Sequence, residues 1–452
     1  MSSSQADSTP TEETRLPLNV LVTYSLPTVG IGFMFFMVAL YLMKFGTDNL
    51  MISPAVMGAI FGISRIWDAL TDPVAGYLSD RTEFSFGRRR PWILLSILPI
   101  GITFYMLWSP PQSFEGTALI VWMGASVLLF YTAMTIFVVP HTSLGAELSV
   151  DYHERTTIFG LRHVIWNSGS LLALVAMYLL ITAEDIRSTA ADMSLIAGGL
   201  TAVLMLWMVF RTEERAEYQG RGERNPLTAF ADVVRNPHAR LLLIVFFIEN
   251  LGAATIGIMT PYVSQYVVGT PNLTPFYIAL YLIPSIASVP VWVYLSRRVG
   301  KKRLWILSML LTGGGFGAMF FLTEGAITLI CILAVICGLG AGSGAVVGPS
   351  IQADVIDYDE YRSGKRKEGA YFATWNFVFK TATGITLMLT GFVLEYSGFI
   401  PNVAQTDDVK FALLALYALF PLVCYAVGAL IFTRFSLDEA EYDRIRAKLG
   451  SH

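Results

Sequence analysis

The sequence carries little charge. Charged residues make up only 14% of its 452 residues, whereas hydrophobic residues make up 54%. About a quarter of the residues in a soluble domain are charged, so a chain of this composition is not expected to stay in solution. The composition therefore predicts a membrane protein surrounded by membrane lipids, with nucleic acid excluded as a partner.

Further absences narrow the function. The three cysteines, Cys331, Cys337 and Cys424, fall within apolar runs, which predicts packing residues and neither a disulfide framework nor a metal site. The chain has no His-Glu-x-x-His sequence, no nucleophile elbow and no nucleotide-binding loop. These absences predict neither an enzyme nor a bound cofactor. Residues 1–17 are polar and acidic, unlike a cleavable signal peptide.

Apolar runs dominate what is present. A run of about 20 apolar residues is long enough to cross a bilayer as a helix. The runs lie at residues 18–45, 54–80, 91–109, 116–148, 157–181, 193–211, 240–267, 275–296, 303–322, 326–353, 369–395 and 408–434. Their number and length predict an all-α membrane protein with twelve transmembrane helices.

The basic residues are distributed unevenly between the two sides of these helices. Only Lys44, Arg187 and Lys410, of 31 lysines and arginines, fall on the side opposite the chain ends, and Arg65 and Lys380 fall within helices. Because basic loops are retained in the cytoplasm during insertion, this asymmetry predicts a multi-pass protein of the inner (plasma) membrane with both termini cytoplasmic.

The chain divides at its longest interior polar segment, which contains Gly220, Gly222 and Pro226 and is typical of a linker. This division predicts two six-helix bundles. The predicted boundaries are 1–17 for a cytoplasmic N-terminal tail, 18–211 for the N-terminal bundle, 212–239 for a cytoplasmic linker, 240–434 for the C-terminal bundle and 435–452 for a cytoplasmic C-terminal tail.

Two sequence echoes indicate that the bundles repeat one unit. Residues 77–81 and 87–94 resemble residues 294–298 and 300–307, and residues 146–148 resemble residues 353–355. Two parallel six-helix repeats are the architecture of the major facilitator superfamily.

The segment that joins the second and third runs also resembles the signature of that superfamily. In the family, the corresponding residues close the two halves against each other on the cytoplasmic side. The resemblance therefore implies a gating role for Asp80, Arg81, Gly87, Arg88, Arg89 and Arg90.

The middle of the second run contains three charged residues, Arg65, Asp68 and Asp72. On a helix they span roughly 60° of one face, so we expect them to point into one cavity. An ionised group near mid-bilayer costs about 2.5–3.5 kcal/mol and needs a partner, water or a function. Two carboxylates one turn apart suit Na+, and either one also suits a proton. The alternative is a structural Arg–Asp salt bridge.

Other polar and aromatic residues within the runs are candidates for the same cavity. Lys380, in the middle of the eleventh run, is expected to face it and to pair with a carboxylate. Glu249 and Asn250 either line the cavity or form a local interhelical hydrogen bond. Trp166 and Trp375 are candidates to stack on a sugar.

With these residues in place, the chain resembles the glycoside-pentoside-hexuronide:cation symporters, a branch of the superfamily that includes the melibiose permeases. The resemblance covers nearly the whole length. Its segments are Tyr41-Leu42-Met43 with Thr47-Asp48, Arg65-Ile66-Trp67-Asp68-Ala69 with Asp72-Pro73, Pro91-Trp92-Ile93-Leu94, Asp151 with Glu154-Arg155, Asp354 with Asp357-Tyr358, and Pro401-Asn402-Val403-Ala404-Gln405.

The resemblance implies a cation site at Asp68, Asp72, Thr135 and Lys380, with Thr71 where the family has an asparagine. This is the cavity that the intramembrane charges also predict. The coupling ion is expected to be Na+ or H+.

The implied substrate side departs from the melibiose permeases. The family's arginine near the substrate corresponds to Arg162, for which snorkelling to the interface is an alternative. Two aspartates that hold the galactoside correspond to Gly32 and Val138, and a tryptophan that packs on the sugar corresponds to Thr142. Because these groups are missing, another sugar or glycoside is the expected substrate, with Arg65 close by.

The sequence thus predicts a cation-coupled secondary active symporter that imports a sugar or glycoside by alternating access and acts as a monomer. One alternative is a Na+-dependent symporter of lysophospholipids or other amphiphiles. The lysophospholipid symporters of this lineage also have a less polar cavity. A non-transporting sensor or scaffold is a further alternative, against which the charges of Asp68, Asp72 and Lys380 argue.

Overall fold

The computed structural model describes residues 16–82, 84–149, 152–214, 226–363 and 368–437. Twelve long helices follow one another in this part of the chain. They are α1 (Leu18–Asp48), α2 (Pro54–Asp80), α3 (Arg90–Trp108), α4 (Gly116–Glu147), α5 (Tyr152–Ile181), α6 (Ile186–Arg211), α7 (Pro237–Val268), α8 (Pro271–Ser296), α9 (Lys301–Phe321), α10 (Ile327–Arg362), α11 (Glu368–Tyr396) and α12 (Asp407–Phe432).

The predicted all-α membrane fold is confirmed. Eleven of the described helices are long and apolar enough to cross a membrane. The remaining long helix, α2, has 27 residues and is about 40 Å long, but Arg65, Asp68 and Asp72 lower its hydropathy. A shorter helix, Pro226–Arg235, lies in the predicted linker. The predicted tails, apart from residues near 16 and 437, and residues 215–225 of the linker lie outside the described residues.

Several helices begin where a side chain caps the first turn. Ser53 accepts a hydrogen bond from the backbone N–H of Val56 at the start of α2. Asp185 caps α6 and Asn236 caps α7 in the same way. These caps satisfy backbone N–H groups that have no partner within the helix. The Asp185 cap is why α6 begins at Ile186, seven residues before the apolar run from 193.

Helices α1–α6 form an N-terminal half and α7–α12 form a C-terminal half, and the halves meet closely along α2 and α11. A Cβ on Gly58 would lie 2.8 Å from the carbonyl oxygen of Leu387, and a Cβ on Gly384 would lie 2.9 Å from the Cβ of Arg65. Small residues at these positions let the two backbones approach, which brings α11 against the charged face of α2.

The sequence echoes occupy corresponding places in the two halves. Arg88 and Glu147 form an ion pair of 2.6 Å in the first half, and Lys301 and Asp354 form one of 2.6 Å in the second. Each pair joins the start of an odd-numbered helix to the helix that follows it. The two halves therefore use the same internal ion pair at equivalent positions.

We call the side of the bundle where α1 begins and α12 ends the tail side, and the side where α1 ends at Asp48 the distal side. The loop between α11 and α12 lies on the distal side, where Asn402 donates a hydrogen bond to the backbone carbonyl of Asp48.

Candidate cation and substrate site

The two carboxylates of α2 converge on one hydroxyl group. Thr135 Oγ1 of α4 lies 2.8 Å from Asp68 Oδ1 and 3.1 Å from Asp72 Oδ1. Asp68 is only 1% exposed, whereas the Asp72 side chain retains 25% of its exposure. Three oxygen-bearing side chains therefore meet near the middle of α2, and oxygen is the ligand that hard cations prefer.

Lys380 of α11 brings the C-terminal half to these carboxylates. Its Nζ lies 2.6 Å from Asp72 Oδ2 and 2.9 Å from Asp68 Oδ2. Arg65 NH1 lies 3.4 Å from Asp68 Oδ2. We call these four residues and Thr135 the charged cluster. Two positive and two negative side chains balance, so the cluster carries no net charge when all four groups are ionised. An added cation then requires a charge to move or to be compensated.

Arg65 also contacts the aromatic wall of the N-terminal half. Its guanidinium lies 4.5 Å from the ring centre of Tyr131 and 5.6 Å from that of Phe35. Its Nε has no hydrogen-bond partner among the described residues. The Trp166 ring packs against Phe35 with centroids 5.6 Å apart. Arg65, Phe35 and Trp166 thus form a continuous surface beside the carboxylates.

Thr71 does not join the charged cluster. Its hydroxyl donates to the backbone carbonyl oxygen of Asp68 at 3.2 Å, along its own helix. Among the described residues, Thr135 supplies the hydroxyl that touches both carboxylates.

Gly32 cannot carry a side chain in this packing. A Cβ there would lie 2.3 Å from the carbonyl oxygen of Trp166, which is backbone and cannot move aside cheaply. The position predicted to touch the substrate is therefore a contact between α1 and α5. An aspartate there, as in melibiose permeases, would force these helices apart.

The other predicted substrate residues of the N-terminal half lie toward the tail side. Thr142 donates its hydroxyl to the Val138 carbonyl at 2.7 Å, within α4. The Arg162 carbonyl accepts from Thr28 at 3.3 Å, and Thr28 precedes Phe35 by about 10 Å along α1. The Arg162 Nε has no hydrogen-bond partner among the described residues.

The structure does not bring the remaining predicted residues to the charged cluster. Trp375 is 8% exposed and packs against Phe246 in the core of the C-terminal half. Asn250 donates to the Phe246 carbonyl at 2.7 Å. Glu249 lies beside the Trp305 indole. Trp375 and Glu249 thus contact other helices of the C-terminal half, and Asn250 bonds the backbone of its own helix, α7.

The arginines of the predicted gate stabilise the N-terminal half internally. Arg88 pairs with Glu147, and Arg89 pairs with both Glu147 and Asp80. Arg90 donates to the Val209 carbonyl at 2.5 Å and 2.8 Å. These contacts join α2, α3, α4 and α6 on the tail side. In this conformation these pairs lie within one half and do not bridge the two.

Arg81 and Gly87 complete the predicted gate, and a further residue, Glu214, organises it. Arg81 lies over the Tyr77 ring at 4.1 Å. The Glu214 carboxylate accepts from three successive backbone N–H groups, those of Arg88, Arg89 and Arg90, at 2.6–2.8 Å. It thus caps the positive end of the α3 dipole. Sequence reasoning assigned Glu214 to the linker, and no local pattern identifies this long-range cap.

The distal network is a second feature that the sequence did not assign. Thr47 Oγ1 lies 2.9 Å from the Tyr262 hydroxyl, and the Tyr266 hydroxyl donates to Asp48 Oδ2 at 2.5 Å. Asn402 donates to the Asp48 carbonyl at 2.7 Å, and Lys44 pairs with the Asp48 carboxylate. We define the distal network as Lys44, Thr47, Asp48, Tyr262, Tyr266 and Asn402. It joins the halves on the distal side, about 20 Å from Phe35 along α1.

A cavity of about 150 Å³ lies between the charged cluster and the distal network. Its walls include Phe36 and Leu40 of α1 and Tyr281, Phe316 and Tyr417 of the C-terminal half. Among the residues that the structure describes, no acidic, lysine, arginine or histidine side chain lines it. We call it the aromatic cavity.

Comparisons with known proteins agree with this fold. A family model described as MFS/sugar transport protein matches residues 23–439. The isoprimeverose transporter of Lactiplantibacillus pentosus is 27% identical over 94% of this chain and 90% of its own. The chain belongs to the glycoside-pentoside-hexuronide:cation symporter family of the major facilitator superfamily. This family member is a multi-pass membrane transporter of a small molecule with a coupling cation, and not an enzyme.

The chain is also similar to two other transporters, to one in sequence and to the other in fold. The sodium-dependent lysophosphatidylcholine symporter 1-A of Danio rerio is 22% identical over 94% of this chain and 86% of its own. The crystal structure of a D-xylose-proton symporter superposes with a TM-score of 0.69 at 12% identity, covering 93% of this chain and 98% of that one. At that identity the superposition supports the fold alone.

Proposed function

We propose that this symporter imports a sugar or glycoside with Na+ or H+ across the inner membrane by alternating access, with the tail side in the cytoplasm. The charged cluster is the observation that carries the proposal. It has four balanced charges near mid-membrane, contributed by both halves. A structural ion pair within one half would not need Lys380 to reach across to α2.

Charge balance gives the cluster a coupling mechanism. A cation that binds between Asp68, Asp72 and Thr135 competes with the Lys380 ammonium for the same carboxylate oxygens. The displaced ammonium then becomes available to a hydroxyl-rich substrate beside it. A cation that enters down about 100 mV supplies roughly 2.3 kcal/mol, enough to concentrate a neutral substrate more than tenfold.

The substrate region we propose adjoins the cluster at Arg65, Phe35 and Trp166. Arginine donates to sugar hydroxyls through a planar fork, and aromatic faces pack on the apolar faces of sugar rings. Arg162, Val138 and Thr142 lie toward the tail side of this region and line the route by which the substrate leaves. The named substrate of the isoprimeverose transporter supports a glycoside here.

The second candidate is import of a lysophospholipid or a related amphiphile. The apolar wall of the aromatic cavity and the zebrafish relative favour it. A thermal-denaturation screen of the purified protein separates the candidates, since a ligand that binds the folded state raises the melting temperature. A sugar or glycoside whose shift grows with Na+ or with acid supports the leading proposal. A rise in the melting temperature with lysolipids alone would replace the leading proposal by lysophospholipid import.

Uptake into proteoliposomes then tests the mechanism. With an inward Na+ or H+ gradient, we expect the ligand to accumulate more than tenfold. Asp72→Asn and Lys380→Ala should reduce this accumulation to simple equilibration, because each removes a member of the charged cluster.

Asp192→Asn is the matched control, because Asp192 is exposed on α6. It should accumulate the ligand like the unmodified protein. Full accumulation by Asp72→Asn would place the coupling ion elsewhere, and wild-type uptake by Lys380→Ala would reduce the lysine to a packing role.

A further inference from the structure

We propose that the aromatic cavity is an aglycone subsite, which holds the aromatic ring of an aryl glycoside while the sugar occupies the region beside Arg65 and Trp166. This inference rests on the proposed glycoside transport and specifies its substrate class. The melibiose-like residues of the sequence do not include this site, since most of its walls come from the C-terminal half.

The size of the aromatic cavity matches one ring. Its volume is about 150 Å³, and an apolar protein cavity of about that size is known to bind benzene. The cavity is therefore large enough for one phenyl ring.

The chemistry of the walls also favours an apolar ring over a sugar. Phe36, Tyr281 and Phe316 present aromatic surface, and aromatic rings attract one another in offset and edge-to-face arrangements. Three of the four hydroxyls in its walls already have partners within the C-terminal half: Tyr277 bonds Thr270 at 2.7 Å, Thr260 donates to the Ile256 carbonyl at 2.7 Å, and Tyr417 lies 3.3 Å from Thr260. The fourth hydroxyl is that of Tyr281. A sugar ring would leave most of its hydroxyl groups without hydrogen bonds here.

The position of the cavity suits the far end of a glycoside. Phe36 lines the cavity, and the preceding residue, Phe35, contacts Arg65. Because successive side chains on a helix point about 100° apart, the two regions adjoin neighbouring faces of α1 and lie on the order of 10 Å apart. An aryl glycoside is long enough to occupy both regions at once.

Two wall residues lie where the helices carry single π-turns. Leu40 falls within Val38–Leu42 and Tyr417 within Ala415–Leu419. Such turns are frequent at functional sites, because the extra residue bulges the helix locally. Leu40 belongs to the N-terminal half and Tyr417 to the C-terminal half, so a ring between them contacts both halves.

The test compares paired ligands that differ only in the aglycone. The probes are methyl and phenyl β-glycosides of glucose, galactose, xylose and glucuronic acid, titrated against the purified protein in Na+ and at acidic pH. Burial of the phenyl ring should lower the Kd about thirtyfold relative to the methyl glycoside, equivalent to about 2 kcal/mol.

Ala253 lines the aromatic cavity on α7, so Ala253→Phe fills it. This variant should bind phenyl and methyl glycosides with equal affinity, so that the thirtyfold preference for the phenyl glycoside is lost. The matched control is Ala426→Phe, because Ala426 is exposed on α12, and it should keep the thirtyfold preference.

A second variant keeps the test decisive if Ala253→Phe fails to fold. Phe36→Ala enlarges the cavity. In this variant, the affinity for naphthyl glycosides relative to phenyl glycosides should be about tenfold higher than in the unmodified protein. If the ratio of naphthyl to phenyl glycoside affinity is the same in Phe36→Ala as in the unmodified protein, the proposed subsite is wrong. Equal binding of phenyl and methyl glycosides by the unmodified protein would also overturn it and leave glycoside transport intact. Binding of no glycoside at all would overturn both proposals.

Discussion

At the scale of single residues, Thr135 has an arrangement that either a bound cation or a proton on one carboxylate would complete. Its hydroxyl carries one hydrogen, yet it lies within hydrogen-bond distance of both Asp68 and Asp72. It can donate to only one carboxylate at a time. Its lone pairs and the second carboxylate oxygen are then free to coordinate a small cation.

We therefore expect Thr135→Ala to weaken the cation site without unfolding the protein. The loss of one oxygen ligand should raise the cation concentration for half-maximal uptake about tenfold, equivalent to roughly 1.4 kcal/mol. Thr135→Ser keeps the oxygen and should restore most of the affinity.

The control for this substitution is Thr132→Ala, one turn earlier on α4. The Thr132 hydroxyl bonds the Leu128 carbonyl and the Trp67 indole instead of a carboxylate. If Thr132→Ala and Thr135→Ala raise the cation requirement equally, Thr135 is not a ligand.

At the scale of elements, the contact between α2 and α11 decides whether Lys380 reaches the carboxylates. Gly384 lies one turn beyond Lys380. We expect Gly384→Val to separate the two helices and to reduce coupled accumulation at least tenfold, because its side chain would meet the Arg65 Cβ and the Gly62 backbone.

The comparison variant is Gly199→Val, since a Cβ at Gly199 meets no atom within 4 Å. It should accumulate substrate normally. Normal accumulation by Gly384→Val would mean that Lys380 reaches its partners without close helix packing.

A second element-scale prediction concerns the cap on α3. Glu214→Ala removes the acceptor for three backbone N–H groups, and we expect it to destabilise the N-terminal half by about 1–2 kcal/mol. Thermal denaturation in detergent measures the change. Glu213→Ala, at the adjacent exposed acid, should leave the melting temperature unchanged. Equal melting of the two variants would show that the cap adds no stability.

At the scale of the whole molecule, the distal network joins the two halves on the distal side, and we expect it to hold that side closed. Tyr266→Phe removes a donor to Asp48 and an acceptor for the Asn402 N–H. A lost bond of this kind costs about 1–2 kcal/mol, so distal opening should become about tenfold more frequent.

The readout is the alkylation rate of Leu40→Cys in a protein without its native cysteines, with a membrane-impermeant maleimide added on the distal side. Tyr266→Phe should accelerate the reaction about tenfold. The control, Tyr24→Phe, removes a buried hydrogen bond within the N-terminal half and should leave the alkylation rate unchanged. Equal rates in both would show that the distal network does not control opening.

Some features follow from local sequence alone. The number and approximate ends of the helices depend on the length of apolar runs and on caps such as Asp185. The sequence echoes indicate that the two halves make equivalent contacts, because a repeated segment folds into repeated contacts. The ion pairs Arg88–Glu147 and Lys301–Asp354 are such contacts. Arg65, Asp68 and Asp72 share a face because their spacing on one helix fixes it.

Other features were settled by tertiary packing. Lys380 meets Asp72 across 308 residues of sequence, whereas Trp375, five residues earlier on the same helix, packs inside its own half. A helix that is apolar all round gives no sign in its sequence of which face meets a neighbour. The sequence therefore determined the helices, the repeat and the intramembrane charges. Only tertiary packing decided which helix faces meet. The Glu214 cap, the distal network and the aromatic cavity depend on that packing, because each joins residues that are far apart in the sequence.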